Sequence, residues 1–378
     1  MAQRDNEQIL VVEDDPGMRR AVSRVLTGRY RIEAVSSVPE AREKLATGAF
    51  HLALVDLQLG ESDGYSLCQW VRSHQPATDV ILMTGSVTEA DEKLYRSLEE
   101  DAFYFLFKPF DRRVLLALVE RCLRLQRERR SKEEYAQAMA EDMERARRFQ
   151  QSLLPRGPLG LHGWHIEGRF LPCDALGGDL YFALDDHAGG VAVAIADVVG
   201  HGISAAMYAG MLRSTLDAVR RRDPEPGVVA EQLLANVDFF EGRRYSTLVY
   251  ARLMADGRLR YFNAGHPPVL LLKVNGECEE LGATGPILSR SLPFPTRRVE
   301  ERVLAPGDRL LFYTDGLFEA RDPLDEELGR EGVQASFCAA RSLAPKEVLD
   351  ALLTRLENHA RGRPLNDDVT LVLVERLG

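Results

Sequence analysis

The chain has 378 residues, 45% hydrophobic and 28% charged, which suits a folded protein with two cores and gives no case for wholesale disorder. Its 58 acidic against 48 basic residues leave a formal net charge of -10 at pH 7, which argues against a surface built to bind nucleic-acid phosphates. Five scattered cysteines (Cys68, Cys122, Cys173, Cys278, Cys338) offer no CxxC and no paired histidine, so neither a disulfide frame nor a zinc site is expected, and a reducing cytoplasm fits best.

The first residues, 1–7, are polar and lack the basic onset and long apolar core of a secretory leader. No apolar run further on reaches the ~20 residues that a membrane-spanning helix needs. From residue 9 to about 119, apolar runs at 9–12, 52–55, 80–83 and 103–107 alternate with stretches of helical period such as 18–26 and 38–45. This βαβ rhythm predicts an α/β doubly wound, parallel five-stranded domain over 1–125, with functional groups at the carboxyl ends of its strands.

Those ends carry a specific set. Glu13 and Asp14 follow the first strand, Asp56 ends the third, Thr84 the fourth, and Lys108 with Pro109 the fifth. Glu13, Asp14 and Asp56 offer oxygen ligands for Mg²⁺, and the Asp56 carboxylate can attack phosphorus to become an acyl phosphate. Thr84 can hydrogen-bond the phosphoryl oxygens and Lys108 can pair with them, which makes a switch. In the run Glu13, Asp14, Asp15, the third acid is also placed to cap a helix starting near Pro16. A lone acid at a strand end usually makes a turn or a cap, but the ordered set is too specific for that.

Between 114 and 153 there is no proline or glycine, and Leu118, Cys122, Leu125, Tyr135, Met139, Met143, Ala146, Phe149 and Leu153 recur at helical spacing. A helical linker over 126–155 is predicted, able to form a coiled coil and so a homodimer, although 127–134 is almost wholly charged and would interrupt the pairing.

Pro155 closes the helix, and a Pro/Gly-rich connection opens a region of short strands at 165–171, 180–184, 190–196, 246–253, 259–263, 269–273, 309–313 and 369–374. Helical patterns at 204–221, 228–239, 333–341 and 345–360 lie between them, so 156–378 is expected to be an α+β sandwich with helices outside it. Four acidic motifs stand at strand ends or the turns after them: Asp179 in GGD, Asp197 in AD, Asp315 in TDG, and Asp367 with Asp368 in NDD. Carboxylates without histidine or cysteine suit Mg²⁺ or Mn²⁺, and two such ions can activate a water for in-line attack on a phosphate ester. His201 and His266 sit in Gly- or Pro-flanked turns and are expected to be positional or substrate-facing rather than catalytic.

The segments ILVVEDDPGMRR, LALVDLQLGESDGY, ILMTG and FLFKPF resemble the response-regulator receiver family across the first domain. The resemblance implies Asp56 as phosphoacceptor, Glu13, Asp14 and the Gln58 backbone as Mg²⁺ ligands, Phe105 as the rotating aromatic, and a cis Lys108–Pro109 peptide. The later motifs QQSLLP, GGDLYF, ADVVGHG, NAGHPP, FYTDG and NDDVT resemble, in order, the SpoIIE/RsbU branch of the PPM metal-dependent protein phosphatases.

That second resemblance implies two β-sheets flanked by helices, and a centre of two Mn²⁺ or Mg²⁺ ions held by Asp179, Asp197, Asp315, Asp367 and the Val198 carbonyl, with Asp368 as the alternative to Asp367. Around GGD the chain has Leu180, Tyr181 and Phe182, so that Leu180 and Phe182 depart from the family's GGDWYD pattern, and Val199 replaces a usual serine. The helix at 204–219 is expected to pass a shift of the linker to Asp197.

The implied protein is a two-component regulator, phosphorylated by a sensor histidine kinase or phosphotransfer protein, whose Ser/Thr phosphatase acts on a phosphorylated STAS anti-anti-sigma protein. The rival is an RssB-like adaptor, non-catalytic or weakly so, that binds a sigma factor or anti-sigma partner; the four intact acids favour catalysis. A DNA-binding output is excluded, since no basic helix-turn-helix follows the receiver.

Overall fold

A computed structural model describes residues 7–60, 62–85, 104–155, 157–200, 202–236, 245–289 and 298–378. The chain divides into two compact units, Met1–Ala138 and Met139–Gly378. No described helix is long and apolar enough to cross a membrane.

In the first unit, β1 (Gln8–Val12), β2 (Arg31–Val35), β3 (Leu52–Asp56), β4 (Asp79–Thr84) and β5 (Tyr104–Phe107) form a parallel sheet in the order β2-β1-β3-β4-β5. The strand order reverses between β1 and β3, so the crevice at their carboxyl ends is where a ligand is expected in such a sheet. Apart from Gln8 at the start of β1 and Asp56 at the end of β3, these two strands are wholly apolar because both faces are covered. The apolar-run pattern passes over β2 because it is an edge strand whose residues are mostly exposed or half-buried.

Helix α1 (Pro16–Leu26) starts at Asp15, whose Oδ1 accepts the Met18 N–H at 2.6 Å, so Asp15 is the helix cap. Helices α2 (Val38–Thr47) and α3 (Gly64–His74) follow. Helix α4 (Arg112–Leu153) buries Leu115, Val119, Cys122 and Leu123 in the core around Ile9, Val11, Ile81 and Leu106. Its contact with the sheet side runs on through Gln126, which donates to the carbonyls of His51 and Ala77, and Arg129, which pairs with Asp79. Beyond that point Tyr135, Met139 and Phe149 are exposed.

The second unit stacks two antiparallel sheets. Its strands are β6 (Leu159–Leu161), β7 (Trp164–Leu171), β8 (Leu180–Asp185), β9 (Gly190–Val198), β10 (Tyr245–Met254), β11 (Arg258–Ala264), β12 (Val269–Leu272), β13 (Cys278–Leu281), β14 (Leu288–Ser289), β15 (Glu300–Val303), β16 (Arg309–Tyr313) and β17 (Val369–Arg376). One sheet runs β8-β9-β10-β11-β15 with β14 beside β10, and the other β13-β12-β16-β17-β7-β6.

Strand β9 shows why they stack. Val191, Val193 and Ile195 point into the core between the sheets, while Ala192, Ala194 and Ala196 face the other way, where small side chains let α5 (Ile203–Arg220) and α6 (Pro226–Asn236) approach. Helices α8 (Arg330–Ala339) and α9 (Pro345–Ala360) cover the second sheet, after the single turn α7 (Asp315–Phe318). The sandwich expected from the sequence is the fold observed. Strands β6, β13 and β15 and the two-residue β14 were not expected; the first three are short and mostly half-exposed, so they carry little apolar period. The helix expected at 333–341 begins at Arg330. The last residues of the one expected at 228–239 lie outside the described residues.

Candidate functional site

At the carboxyl ends of β1 and β3, ligand oxygens of Glu13, Asp14 and Asp56 lie within 4.8 Å of one another. Lys108 reaches into the cluster from the end of β5, its Nζ 2.7 Å from Glu13 Oε2 and 2.9 Å from Asp56 Oδ2. Burial raises the Glu13 carboxyl, against the opposing hydrogen bond from Lys108. Burial lowers the Lys108 ammonium, but its hydrogen bonds to Glu13 and Asp56 win and hold it above its ordinary value. Three carboxylates and no softer ligand fit a hard cation such as Mg²⁺.

Asp14 Oδ2 accepts the Gly60 N–H at 2.9 Å, which ties the loop carrying Gln58 to the cluster; Gln58 itself pairs with Asp63. Thr84 is buried at the end of β4, and its carbonyl accepts the Lys108 N–H at 2.7 Å. Phe105 is half-buried against the core that holds Val55 and Leu82. The Lys108–Pro109 peptide is cis. Residues 86–103 lie outside the described residues.

In the second unit, Asp197 is the penultimate residue of β9, Asp315 follows β16, Asp367 and Asp368 precede β17, and Asp179 precedes β8. Long-range sheet pairing therefore gathers acids that are far apart in sequence. Burial raises Asp197 to about 7, reinforced by the charges of Asp315, Asp367, Asp368 and Glu319. Burial also raises Asp315. Asp179 is enclosed and pushed well above the carboxylate range, first by burial and then by Asp197, although the hydroxyls of Thr370 and Thr314 donate to its Oδ2 at 2.6 and 2.8 Å.

The charges that act most strongly on half-buried Asp197 are all carboxylates, and a cluster that repels itself in this way is relieved by divalent cations. The donor set thus fits Mg²⁺ or Mn²⁺. Among the described residues, Glu13, Asp14 and Asp56 are the one set of three acids whose ligand oxygens lie within 4.8 Å of one another.

Asp368 is a clamp. Its carboxylate accepts the N–H groups of Cys173 at 2.9 Å, Gly178 at 2.6 Å and Asp179 at 3.4 Å, while Asp367, exposed beside it, accepts the Asp368 N–H on Oδ1 at 2.8 Å. A Cβ on Gly178 would stand 2.5 Å from the Val198 carbonyl oxygen and 2.8 Å from that of Gly200, so only glycine lets this loop lie against the expected carbonyl ligand. His266 is buried, which corrects the substrate-facing option: its backbone N–H donates to Asn263 Oδ1, its Nδ1 lies 2.7 Å from the Thr247 hydroxyl, and burial pushes the imidazole down to about 3. His201 lies outside the described residues.

Sequence reasoning missed two participants. Glu319 stands one turn after Asp315, and burial followed by the Asp315 charge raises it; the four-residue spacing in TDGLFE was the available signal. Gln150 is buried near the end of α4, where its Nε2 donates to the Gly177 carbonyl at 2.7 Å and its Oε1 accepts the Gly177 N–H at 3.2 Å.

A parallel α/β unit with an acid–lysine pocket at its strand-order reversal, followed by a two-sheet sandwich with a carboxylate cluster, defines a response regulator with a phosphatase-type output domain. The chain belongs to the SpoIIE family: the family described as stage II sporulation protein E matches residues 187–377, and the response regulator receiver domain matches 9–120. Protein IcfG of Synechocystis is 31% identical over 268 residues, covering 62% of this chain, which spans 41% of that protein. Phosphoserine phosphatase RsbU of Bacillus subtilis is 26% identical over 314 residues, covering 80% of this chain and 88% of RsbU. The solved SiaA-PP2C domain of Pseudomonas aeruginosa shares the fold of the second unit, with a TM-score of 0.55 at 19% identity over 65% of this chain and 99% of that one.

Proposed function

We propose that phosphorylation of Asp56 controls a metal-dependent hydrolysis of phosphoserine or phosphothreonine on a partner protein, carried out by the second unit. The mutually repelling carboxylates of half-buried Asp197 and Asp315, with exposed Asp367 beside them, carry this reading, since they favour divalent cations where a sandwich strand and two loops meet. The likeness to a phosphoserine phosphatase supports the substrate class.

Asp197, Asp315, Asp367 and the Val198 carbonyl, with Asp179 behind them, would hold two Mn²⁺ or Mg²⁺ ions. Such ions supply Lewis-acid activation of a water and neutralise phosphoryl charge. The protein's part is to fix the donors: Thr314 and Thr370 hold Asp179, and Asp368 holds the loop that carries it. In the first unit the Asp56 carboxylate attacks phosphorus of a phosphohistidine on a sensor kinase or phosphotransfer protein, forming the acyl phosphate as the phosphorus–nitrogen bond breaks and the donor's imidazole leaves; Glu13, Asp14 and the Gln58 carbonyl would hold Mg²⁺, which would neutralise phosphoryl charge. Lys108 is already placed to pair with the new phosphoryl oxygens, Thr84 is the hydroxyl donor, and Phe105 the aromatic that follows the switch. The substrate is a phosphorylated STAS anti-anti-sigma protein, and α4 is the dimer contact.

The test is hydrolysis of p-nitrophenyl phosphate and of a phosphorylated STAS protein with Mn²⁺, by native chain and Asp315→Ala, with and without acetyl phosphate. Metal-dependent turnover abolished by Asp315→Ala is expected. Binding of the STAS protein without turnover would leave an adaptor.

A further inference from the structure

Gln150 lies on the stripe of α4 that holds Met143, Ala146 and Leu153, where a polar residue is out of pattern. Its side chain is 7% exposed while its neighbour Phe149 is 66% exposed. A primary amide is a neutral group able to serve both halves of a peptide unit, as donor and as acceptor, and Gln150 does both for Gly177.

The segment it grips is central to the carboxylate cluster. One residue on, Gly178 lies against the Val198 carbonyl; two on is Asp179. One residue back, the Leu176 carbonyl accepts the Gly202 N–H at 3.0 Å, joining the segment to the loop that follows Asp197. From the opposite side Asp368 takes the N–H groups of Gly178 and Asp179. The segment is thus held between a residue next to Asp367 and the last turn of α4, the helix whose first turns are buried in the receiver core.

We propose that Gln150 is a positioning residue: a latch through which α4 sets the 177–179 loop, so that movement of the helix seats or loosens the metal centre. This rests on reading the cluster as a metal centre. It adds to the α5 route expected from the sequence a path made of two directional hydrogen bonds.

The test uses the full chain and two variants. Gln150→Ala removes the amide and its volume; Gln150→Met keeps the volume and removes both hydrogen bonds. In a background of Asp14→Ala and Asp56→Ala, which silences the first unit's acids, both variants should bind Mn²⁺ about tenfold more weakly by calorimetry, since two buried backbone groups lose their partner. Amide hydrogen exchange across 173–179 should quicken in both. With the first unit intact, acetyl phosphate should still phosphorylate Asp56 in Gln150→Met, while its effect on hydrolysis falls to a ratio of about one.

Native Mn²⁺ affinity, slow exchange and a native donor response in Gln150→Met would show that the amide only fills space and would overturn the latch. If Gln150→Ala does not fold, Gln150→Met alone decides. Should the native chain bind Mn²⁺ but hydrolyse nothing, the phosphatase reading falls and the Mn²⁺ comparison still decides the latch. Should it bind no Mn²⁺ in that background, the metal-centre reading falls and the latch with it, whatever the exchange shows of the loop.

Discussion

Metal binding by the second unit should be linked to protons, with a sign that follows from the carboxylate cluster. Burial, then Asp315, Asp367, Asp368 and Glu319, raises Asp197 to about 7, so near neutrality the metal-free cluster holds a proton that a cation must displace. A group of that pKa is ~0.9 ionised at pH 8 and ~0.1 ionised at pH 6, so Mn²⁺ affinity should weaken about tenfold, or ~1.4 kcal/mol, as pH falls between them. At pH 7 binding should release about half a proton from this group.

Metal-free stability should run the other way. The folded state binds the proton more tightly than the unfolded chain, whose aspartate titrates near 3.8, so stability falls as pH rises from about 4 through 7. Asp197→Asn should therefore lose Mn²⁺ binding yet melt higher than the native chain at pH 8 without metal. The assay is calorimetric titration at pH 6, 7 and 8 in buffers of different ionisation enthalpy, in the Asp14→Ala, Asp56→Ala background. Affinity that stays level from pH 6 to 8, with no proton release, refutes the reasoning.

Asp368→Ala strands three backbone donors at a buried site and should cost about 2–4 kcal/mol in urea denaturation, whereas Asp367→Ala should leave stability near native and reduce Mn²⁺ affinity at least about tenfold. Equal stability losses in the two would reverse their assigned roles. Gly178→Ala must displace the Val198 and Gly200 carbonyls, so it should both lower the melting temperature and weaken Mn²⁺ binding; an unaffected titration would separate that loop from the metal centre. Lys108→Ala removes a cation that sits among the three acids of the first unit, so Mg²⁺ should bind several-fold tighter there, as read by tryptophan fluorescence or calorimetry, while the effect of acetyl phosphate on hydrolysis is lost.

The apolar runs of β1, β3 and β4 announced a covered parallel sheet, because strands buried on both faces need no polar alternation. The acids were legible as candidates because carboxylates directly after such strands stand out, and Asp15 as a cap because that role depends on neighbours three residues away. Edge strands such as β2 and β15 were not legible, since half-exposed residues leave no hydrophobic period. By itself the sequence determined the order of the elements, the kind of chemistry and the small set of acids able to perform it. Only the tertiary structure turned Asp368 onto the 173–179 backbone, buried His266, and set Gln150 on Gly177. The reason is distance along the chain: Asp368 meets Gly178 across 190 residues, and which of two adjacent aspartates turns toward that loop is settled by packing that no local spacing records.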